Sequence, residues 1–228
     1  MDILKFFKNV FVINLDRRPD RLEDFYSRIP FDKNSVTRIS AVDGKNITFT
    51  YRPEEKINPY VIGCHRSHKN ILQSIVNNNN YEECDLFLIF EDDVFFSSNF
   101  KDKIKQINLI DKSKYFIFYI GGRFNLNFEP SSLTGFQQVN ENIYEKLGNY
   151  KNIKGSDYDR TTHSYIINKK TARKILEKTT VVKESEPVDS LYNNIRKYAY
   201  DIKIYDIFPH ICYSPLLYKT DIQNFSSK

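Results

Sequence analysis

The chain has 228 residues, of which 40% are hydrophobic and 15% aromatic, with 18 Phe, 16 Tyr and no Trp. This length and apolar content suit one large globular domain with its own core, and they exclude a disordered chain. Because 34 basic residues oppose 29 acidic ones, the net charge is only +5. That charge predicts modest attraction to nucleic acid and suits an anionic small ligand such as a nucleotide equally well.

The chain contains three cysteines, Cys64, Cys84 and Cys212, which form no CxxC pair. This usage predicts reduced thiols rather than a disulfide framework. The apolar N-terminal segment is interrupted by Asp2, Lys5 and further polar residues. It therefore lacks both the unbroken apolar core of a signal peptide and the roughly 18 apolar residues of a membrane span. We expect a cytoplasmic protein, or a soluble piece of something larger.

The first predicted strand covers residues 9–15, because residues 10–13 are continuous β-branched and aromatic side chains. A helix follows near Pro19, since proline is favoured in a first helical turn, and Asp16 is a candidate cap. The turn between strand and helix carries three arginines, Arg17, Arg18 and Arg21. A helix N-terminus attracts anions, so this turn is either a basic solvated loop or a contact for phosphate or a nucleotide.

A second predicted strand covers residues 35–42 and closes at an Asp-Gly turn. Residues 45–60 contain two prolines and many polar groups, which predicts a loop. A helix with an apolar face covers residues 63–76. Its His65 and His68 are three residues apart, and a zinc site would need further ligands at suitable spacing, which this pattern does not show. We therefore expect both histidines to form hydrogen bonds.

The chain is organised around residues 85–94, where five consecutive apolar residues run into Glu91, Asp92 and Asp93. The apolar run is typical of a strand buried on both faces, and ligands of α/β sheets bind beyond the carboxyl ends of such strands. Three adjacent acids are costly there unless a cation compensates them. The stretch is therefore either an acidic turn or a site for Mg²⁺ or Mn²⁺ shared with substrate phosphates.

The remaining pattern completes an α/β domain. Strands are predicted at residues 115–121, 161–168 and 202–207, the last as an edge strand, and helices at residues 170–178 and from residue 186 onward. Residues 123–160 are rich in Asn, Gly and Ser without a strong period, which is typical of a lid or acceptor-binding insertion. No linker or repeat divides the chain, so we predict one domain over residues 1–228.

Seven separated blocks resemble glycosyltransferase family 25, which includes lipooligosaccharide galactosyltransferases and collagen hydroxylysine galactosyltransferases. The blocks are residues 11–21 (FVINLDRRPDR), 41–44 (AVDG), 63–68 (GCHRSH), 89–94 (IFEDDV), 162–167 (THSYII), 187–189 (PVD) and 220–222 (TDI). Their order and spacing extend over nearly the whole chain. Two departures are His65-Arg66, where bacterial members tend to have apolar residues, and residues 209–212 (PHIC), which replace a common Pro-Pro-Leu pattern.

The resemblance implies an α/β, GT-A-like nucleotide-sugar-binding fold with a mixed, mainly parallel central sheet. It also implies a UDP-hexose donor, a Mn²⁺ (or Mg²⁺) ion at the acidic block and inversion at the sugar carbon. Because the first strands and the acidic strand end at one sheet edge in this fold class, we expect one donor pocket there. Its expected donor-binding residues, all within the family blocks, are Asn14, Leu15, Arg17, Arg21, Ala41, Asp43, Ser67, Asp92 and His163.

The expected metal ligands are Asp93 and, through a bridging water, Glu91, because a metal can neutralise the charge of a departing diphosphate. Asp92 is expected to contact the ribose or the donor sugar. His210 is a candidate third ligand, and the alternative is an ordinary surface histidine. His163 is either a donor contact or a hydrogen-bonded core residue.

The acceptor hydroxyl must lose a proton as it attacks, which requires a positioned base. Asp189, after Pro187 at a predicted helix start, is the candidate base, and helix capping is the alternative role. Asp157 and Asp159 are the next candidates.

The sequence thus predicts a metal-dependent, inverting glycosyltransferase that moves glucose or galactose from a UDP-sugar to a hydroxyl of a glycan or hydroxylysine. One alternative is a metal-dependent phosphohydrolase with the same acidic strand end, which would release phosphate without an acceptor. A catalytically inactive sugar-nucleotide-binding protein is another. A nucleic-acid-binding module ranks last, because the lysines are scattered and the aromatic runs are those of buried strands.

Overall fold

The computed structural model describes residues 2–48, 58–122, 135–147 and 162–214. Three of the sequence-based expectations lie outside these ranges. They are the roles of Asp157 and Asp159, the block at residues 220–222, and most of the insertion at 123–160.

The described residues form two sheets and five α-helices. The strands are β1 (Asn9–Asn14), β2 (Val36–Ser40), β3 (Leu86–Glu91), β4 (Phe95–Phe96), β5 (Phe116–Tyr119), β6 (Gly121–Gly122), β7 (Phe136–Gln138), β8 (Ile143–Lys146), β9 (Ser164–Asn168), β10 (Lys203–Ile207) and β11 (Cys212–Tyr213). The helices are α1 (Pro19–Arg28), α2 (Pro59–Asn77), α3 (Phe100–Lys103), α4 (Lys169–Lys178) and α5 (Val188–Asn193).

The central sheet has eight strands in the order β2-β1-β3-β9-β5-β10-β8-β7, and β4, β11 and β6 form a small second sheet. In the large sheet, β1 pairs in parallel with β2 and β3, and β5 pairs in parallel with β10. The strands β9 and β8 run against their neighbours. The predicted α/β class with a mixed, mainly parallel central sheet is therefore confirmed.

The continuous apolar runs are explained by burial on both faces of this sheet. Along β1, Val10 and Val12 point into a core shared with α1 and α3, while Phe11 and Ile13 point into a second core. That second core is closed by α2, α4 and α5. Successive side chains of a strand alternate between faces, so a strand with helices on both sides must be apolar at every position.

Several local predictions were wrong. Strand β10 is not an edge strand, because the hairpin of β7 and β8, from a stretch predicted to be irregular, pairs on its outer side. Helix α2 begins at Pro59, four residues before the predicted start, and Asn58 caps it by accepting a hydrogen bond from Tyr60 N. Asp16 does not cap α1, because its carboxylate binds Arg38 and Ser40 instead.

The three cysteines, Cys64, Cys84 and Cys212, are free thiols. Among the described residues, no helix combines the length and the apolarity that crossing a membrane requires.

Helix α2 lies against the loop after β2 at two glycines. A Cβ atom at Gly63 would lie 2.6 Å from Val42 O and 3.1 Å from Gly44 N, and one at Gly44 would lie 2.7 Å from Tyr60 Cα. These obstacles are backbone atoms, which cannot move aside as a flexible side chain can. The close approach fixes the loop of residues 41–44 next to the end of β1.

We predict that Gly63→Ala destabilises the protein by about 1–3 kcal/mol, the usual cost of overpacking. Helix propensity alone predicts the opposite effect, a gain in stability, because alanine is more favourable than glycine in a helix interior by about 1 kcal/mol. Urea unfolding monitored by circular dichroism measures the change. Gln73→Ala on the exposed side of α2 is the matched control, and it should change stability by less than about 0.5 kcal/mol. A Gly63→Ala variant as stable as that control would contradict the packing argument.

Candidate functional site

The candidate site lies at the sheet edge where β1 and β3 end side by side. The register pairs Ile13 with Glu91, so Asn14 and Asp92 follow at the same edge. Because β9 runs in the opposite direction, it begins at this edge, and Glu91 N donates to His163 O over 2.9 Å. The fold thus collects residues from three separate parts of the sequence where α/β sheets bind their ligands.

Asp92 is held by two side chains from other elements. Asn14 Nδ2 donates to Asp92 Oδ2 over 2.7 Å, and the Arg21 guanidinium forms an ion pair with Asp92 Oδ1. Arg21 also lies 3.5 Å from Asp93 Oδ2, and its side chain is only 11% exposed. Burial raises the pKa of Asp92, although Arg21 and Asn14 act against that rise. The charge of Arg21 therefore compensates the carboxylates from within the protein.

Glu91 is an ionised carboxylate within a hydrogen-bond network. Its Oε1 accepts from His68 Nε2 over 3.2 Å and from Thr162 Oγ1 over 3.1 Å. The other ring nitrogen of His68 lies 3.0 Å from the Tyr165 hydroxyl. Burial alone would raise the pKa of Glu91, but the hydrogen bond and charge of His68, with the charge of His163, lower it to about 2. His68 is thus a hydrogen-bonding residue, as predicted.

Asp93 has the opposite electrostatic character. Burial and the nearby charge of Glu91 raise its pKa to about 7, against the opposing effect of Arg21. Its Oδ1 is buried and has no hydrogen-bond partner within the described ranges. A buried carboxylate oxygen without a donor is costly. Such an oxygen beside two other carboxylates is well suited to bind a cation.

The loop after β2 forms the neighbouring wall. Ala41 N donates to Asn14 O over 2.9 Å, which continues the pairing of β1 and β2. Arg17 Nε donates to Asp43 Oδ2 over 2.6 Å. Asp43 also accepts from Lys45 N, and although burial opposes them, Arg17 and Lys45 hold its pKa below the usual range. Leu15, which is half-buried, lies in the sequence between Asn14 and Arg17.

Ser67 connects α2 to the same loop. Its hydroxyl donates to Gly63 O over 2.6 Å and accepts from Val42 N over 2.9 Å. The side chain is buried, with 2% exposure. Ser67 therefore holds the loop of residues 41–44 in position from behind.

Asp189 lies in the first turn of α5, which packs against α2. The N-cap of this helix is Pro187, without a side-chain cap bond, and Asp189 Oδ1 accepts from Ser190 N over 2.8 Å. The alternative role of helix cap is therefore not observed. Burial raises the pKa of Cys64, and the charges of Glu91, Asp189 and Asp93 raise it further. Asp189 thus contributes to the same negative region as the acidic strand end.

Two histidines of the predicted site are buried. His163, with 2% exposure, precedes β9, and its ring lies close to Gly121. His210 has 4% exposure, which contradicts the alternative of a surface histidine, and its ring stacks on Phe208 with centroids 4.8 Å apart.

The potential metal ligands that lie close together in the structure are not the predicted set of Glu91, Asp93 and His210. Among the described residues, three ligand atoms lie within 4.8 Å of one another in Cys64, His68 and Glu91. Cys64 was not among the candidate ligands predicted from the sequence. The available signal was its spacing, four residues before His68 on one helix, which places both side chains on one face.

Comparison with known proteins agrees with the blocks found in the sequence. A model of glycosyltransferase family 25 (LPS biosynthesis protein) matches residues 7–192. Procollagen galactosyltransferase 2 of Homo sapiens is 27% identical over 188 residues, which cover 75% of this chain and 27% of the relative. A probable inactive glycosyltransferase 25 family member 3 of Bos taurus is 25% identical over 240 residues, which cover 97% of this chain and 36% of the relative.

The chain therefore spans about a third of the length of such relatives or less. Among solved structures, a glycosyltransferase involved in the glycosylation of the major capsid of PBCV-1 is similar, with a TM-score of 0.44 and 9% identity over 95% of each chain. This is a distant likeness of the fold alone.

The opposite pKa shifts of Asp93 and Glu91 predict opposite effects on stability. The folded-state pKa of Asp93 is above its unfolded value of 3.8, so its stabilising contribution is lost as the pH rises through about 7. Asp93→Asn should therefore raise the free energy of unfolding at pH 8 in EDTA by about 1 kcal/mol or more, and the gain should shrink toward pH 4.

The matched variant is Glu91→Gln. The pKa of Glu91 is lowered from 4.5 to about 2, so its stabilisation is present above pH 4.5 and is lost as the pH falls toward 2. Glu91→Gln should lower stability at every pH between 5 and 8. Urea unfolding at several pH values measures both changes, and an Asp93→Asn variant less stable than wild type at pH 8 would refute the electrostatic description.

Proposed function

Because the chain belongs to glycosyltransferase family 25, we propose that it transfers a hexose from a UDP-sugar to an acceptor hydroxyl in a metal-dependent reaction with inversion. A glycosyltransferase must bind a nucleotide sugar, compensate the charge of the leaving diphosphate and remove a proton from the acceptor. The residues at the sheet edge offer groups for each of these tasks.

The observation that carries the proposal is the buried Asp93 Oδ1, which has no hydrogen-bond partner among the described residues. Together with the Glu91 carboxylate it offers hard oxygen ligands, which fit Mn²⁺ or Mg²⁺. A bound ion of this kind would neutralise negative charge on the diphosphate. His210 remains a proposed third metal ligand. It would have to move toward the acidic residues, because the ligand atoms of Glu91, Asp93 and His210 do not all lie within 4.8 Å of one another.

The nucleotide is proposed to lie along the ends of β1 and β2. The expected contacts are Asn14 and Asp92 from the edge of the sheet, and Leu15, Ala41 and Asp43 from the loops beside it. The support for this position is the hydrogen bond between Asn14 and Asp92 and the backbone bond between Asn14 and Ala41.

The two arginines and the two remaining donor residues have different proposed roles. The Arg17 side chain is 29% exposed, and in the proposed role it turns from Asp43 to a phosphate of the donor. Arg21 orients the acidic residues, since its charge is paired with Asp92. Ser67 supports the donor loop through Val42 N, and His163 lies at the start of β9 beside Glu91.

Asp189 is proposed as the base that accepts the proton of the acceptor hydroxyl. Its support is a position in the same negative region as Glu91 and Asp93, on a helix where it does not serve as the N-cap. In a reaction with inversion the acceptor oxygen attacks the sugar carbon directly. One carboxylate on the acceptor side is therefore sufficient for the proton transfer.

By likeness to procollagen galactosyltransferase 2, galactose is the first donor hexose to test and hydroxylysine the first acceptor, followed by glucose and by glycan acceptors. Relatives described as inactive favour one second candidate, a protein that binds a sugar nucleotide without transferring the sugar.

The test is a panel of UDP-sugars with Mn²⁺, followed by UDP release with and without acceptor peptides and glycans. Acceptor-dependent UDP release supports transfer. Binding measured by thermal shift without any turnover would support the inactive alternative. Release of inorganic phosphate without an acceptor would identify a phosphohydrolase.

We predict that Asp93→Asn loses Mn²⁺-dependent UDP release and weakens UDP-sugar binding, because a neutral amide replaces the anionic ligand. Isothermal titration with UDP-sugar, with and without Mn²⁺, measures the binding. Asp102→Asn, at an exposed residue of α3, is the control and should behave like wild type. Full activity of Asp93→Asn at ordinary Mn²⁺ concentrations would remove Asp93 from the metal site.

We predict that Asp189→Asn lowers transfer by roughly two to four orders of magnitude, the usual contribution of a general base. Its UDP-sugar affinity should stay within about twofold, because no proposed metal or phosphate contact is lost. Steady-state rates and donor titration measure the two quantities separately. Equal losses of affinity and rate would instead assign Asp189 to donor binding, and near-normal turnover would exclude it as the base.

A further inference from the structure

The cluster of Cys64, His68 and Glu91 has no part in the proposed transfer chemistry beyond Glu91. Their ligand atoms, a sulfur, a ring nitrogen and a carboxylate oxygen, lie within 4.8 Å of one another. His68 is fully buried, and Cys64 and Glu91 are partly buried. We propose that these three residues form a binding site for a thiophilic divalent cation of the Zn²⁺ class, distinct from the Mn²⁺ or Mg²⁺ of the transfer reaction.

The helix geometry supports the site. Cys64 and His68 are four residues apart on α2, so both side chains project from one face, the spacing by which helical metal sites place two ligands. Glu91 comes from the end of β3, opposite that face, and its Oε1 is 3.2 Å from His68 Nε2. Ligand atoms around tetrahedral zinc are about 3.5 Å apart. A shift of about 1 Å in the side chains would therefore complete the arrangement.

The surrounding hydrogen bonds have the arrangement found around zinc ligands. A histidine that binds zinc usually forms a hydrogen bond through its other ring nitrogen, which fixes the ring, and carboxylate ligands are also hydrogen-bonded. His68 Nδ1 lies 3.0 Å from the Tyr165 hydroxyl, and Thr162 Oγ1 donates to Glu91. These outer contacts are already present, so the first ligands need little further ordering.

The ligand types decide which cation fits. Thiolate and imidazole select Zn²⁺ and related ions, whereas Mg²⁺ and Mn²⁺ prefer oxygen. A thiolate, a carboxylate and a neutral imidazole carry two negative charges, which balance one divalent ion. Burial and then the neighbouring negative charges raise the pKa of the Cys64 thiol, but a bound zinc ion deprotonates a coordinating thiol directly. Three protein ligands leave one tetrahedral position open to water or another ligand.

The experiment uses the whole chain, first stripped of metal with a chelator and then titrated with Co²⁺ and Zn²⁺. Co²⁺ should produce the near-ultraviolet absorption of a thiolate-bound ion, and Zn²⁺ should remove that absorption by displacement. Neither readout needs UDP-sugar or transfer activity. Failure of this site is therefore distinguishable from failure of the proposed function.

Cys64→Ser should abolish the absorption and weaken Zn²⁺ binding on the order of 100-fold. Cys84→Ser, at an exposed cysteine of the same chain, is the matched control and should retain both. Tyr165→Phe keeps all three ligands but removes the outer hydrogen bond, and it should weaken Zn²⁺ binding about 10- to 100-fold. Asp93→Asn should keep the Co²⁺ signal while losing the effect of Mn²⁺ on UDP-sugar binding.

Two results would overturn the proposal. One is the absence of a thiolate band in wild-type protein whose fold is verified by circular dichroism. The other is a thiolate band or an unchanged Zn²⁺ affinity in Cys64→Ser, and loss of the band in Cys84→Ser would then place the bound ion at Cys84. An unchanged unfolding transition of Cys64→Ser shows that this variant is folded and makes the second result decisive.

Discussion

The placement of three consecutive carboxylates, Glu91 partly buried and Asp92 and Asp93 buried, at the end of a central strand is the constraint on which the site depends. Glu91, Asp92 and Asp93 leave an apolar strand inside a sheet covered on both faces, so their charges have little water to compensate them. Each carboxylate is accommodated in a different way. Glu91 receives hydrogen bonds from His68 and Thr162, Asp92 is held by Asn14 and Arg21, and Asp93 keeps a raised pKa.

This division explains why neighbouring acids can have different tasks. Because Glu91 stays ionised while the pKa of Asp93 is raised to about 7, the cluster carries one fewer negative charge well below pH 7 than its composition suggests. Cation binding would replace the proton of Asp93, so the acidic site and its ion are linked through pH. Arg21, which lies on α1, limits the repulsion by pairing with Asp92 and lying 3.5 Å from Asp93 Oδ2.

The sequence was sufficient where periodicity or adjacency decides the structure. The buried strands, the acidic strand end and the shared sheet edge followed from local patterns, and the family match confirmed the resemblance. The sequence was insufficient where the structure depends on contacts between residues that are far apart along the chain. The interior place of β10 depends on pairing with β8, the partner of Arg21 lies 71 residues away at Asp92, and the proximity of Cys64 to Glu91 exists only after α2 packs on β3.

The position of β9 has a consequence for how the chain acquires its fold during synthesis. This strand lies between β3 and β5, both of which precede it in the chain, and it pairs with each in antiparallel orientation. Until β9 leaves the ribosome, β3 and β5 cannot be joined, and each presents unpaired backbone groups along an apolar edge. Such edges favour aggregation of nascent chains. Chaperone dependence should therefore be greatest between the emergence of residue 119 from the ribosome and the emergence of residue 168.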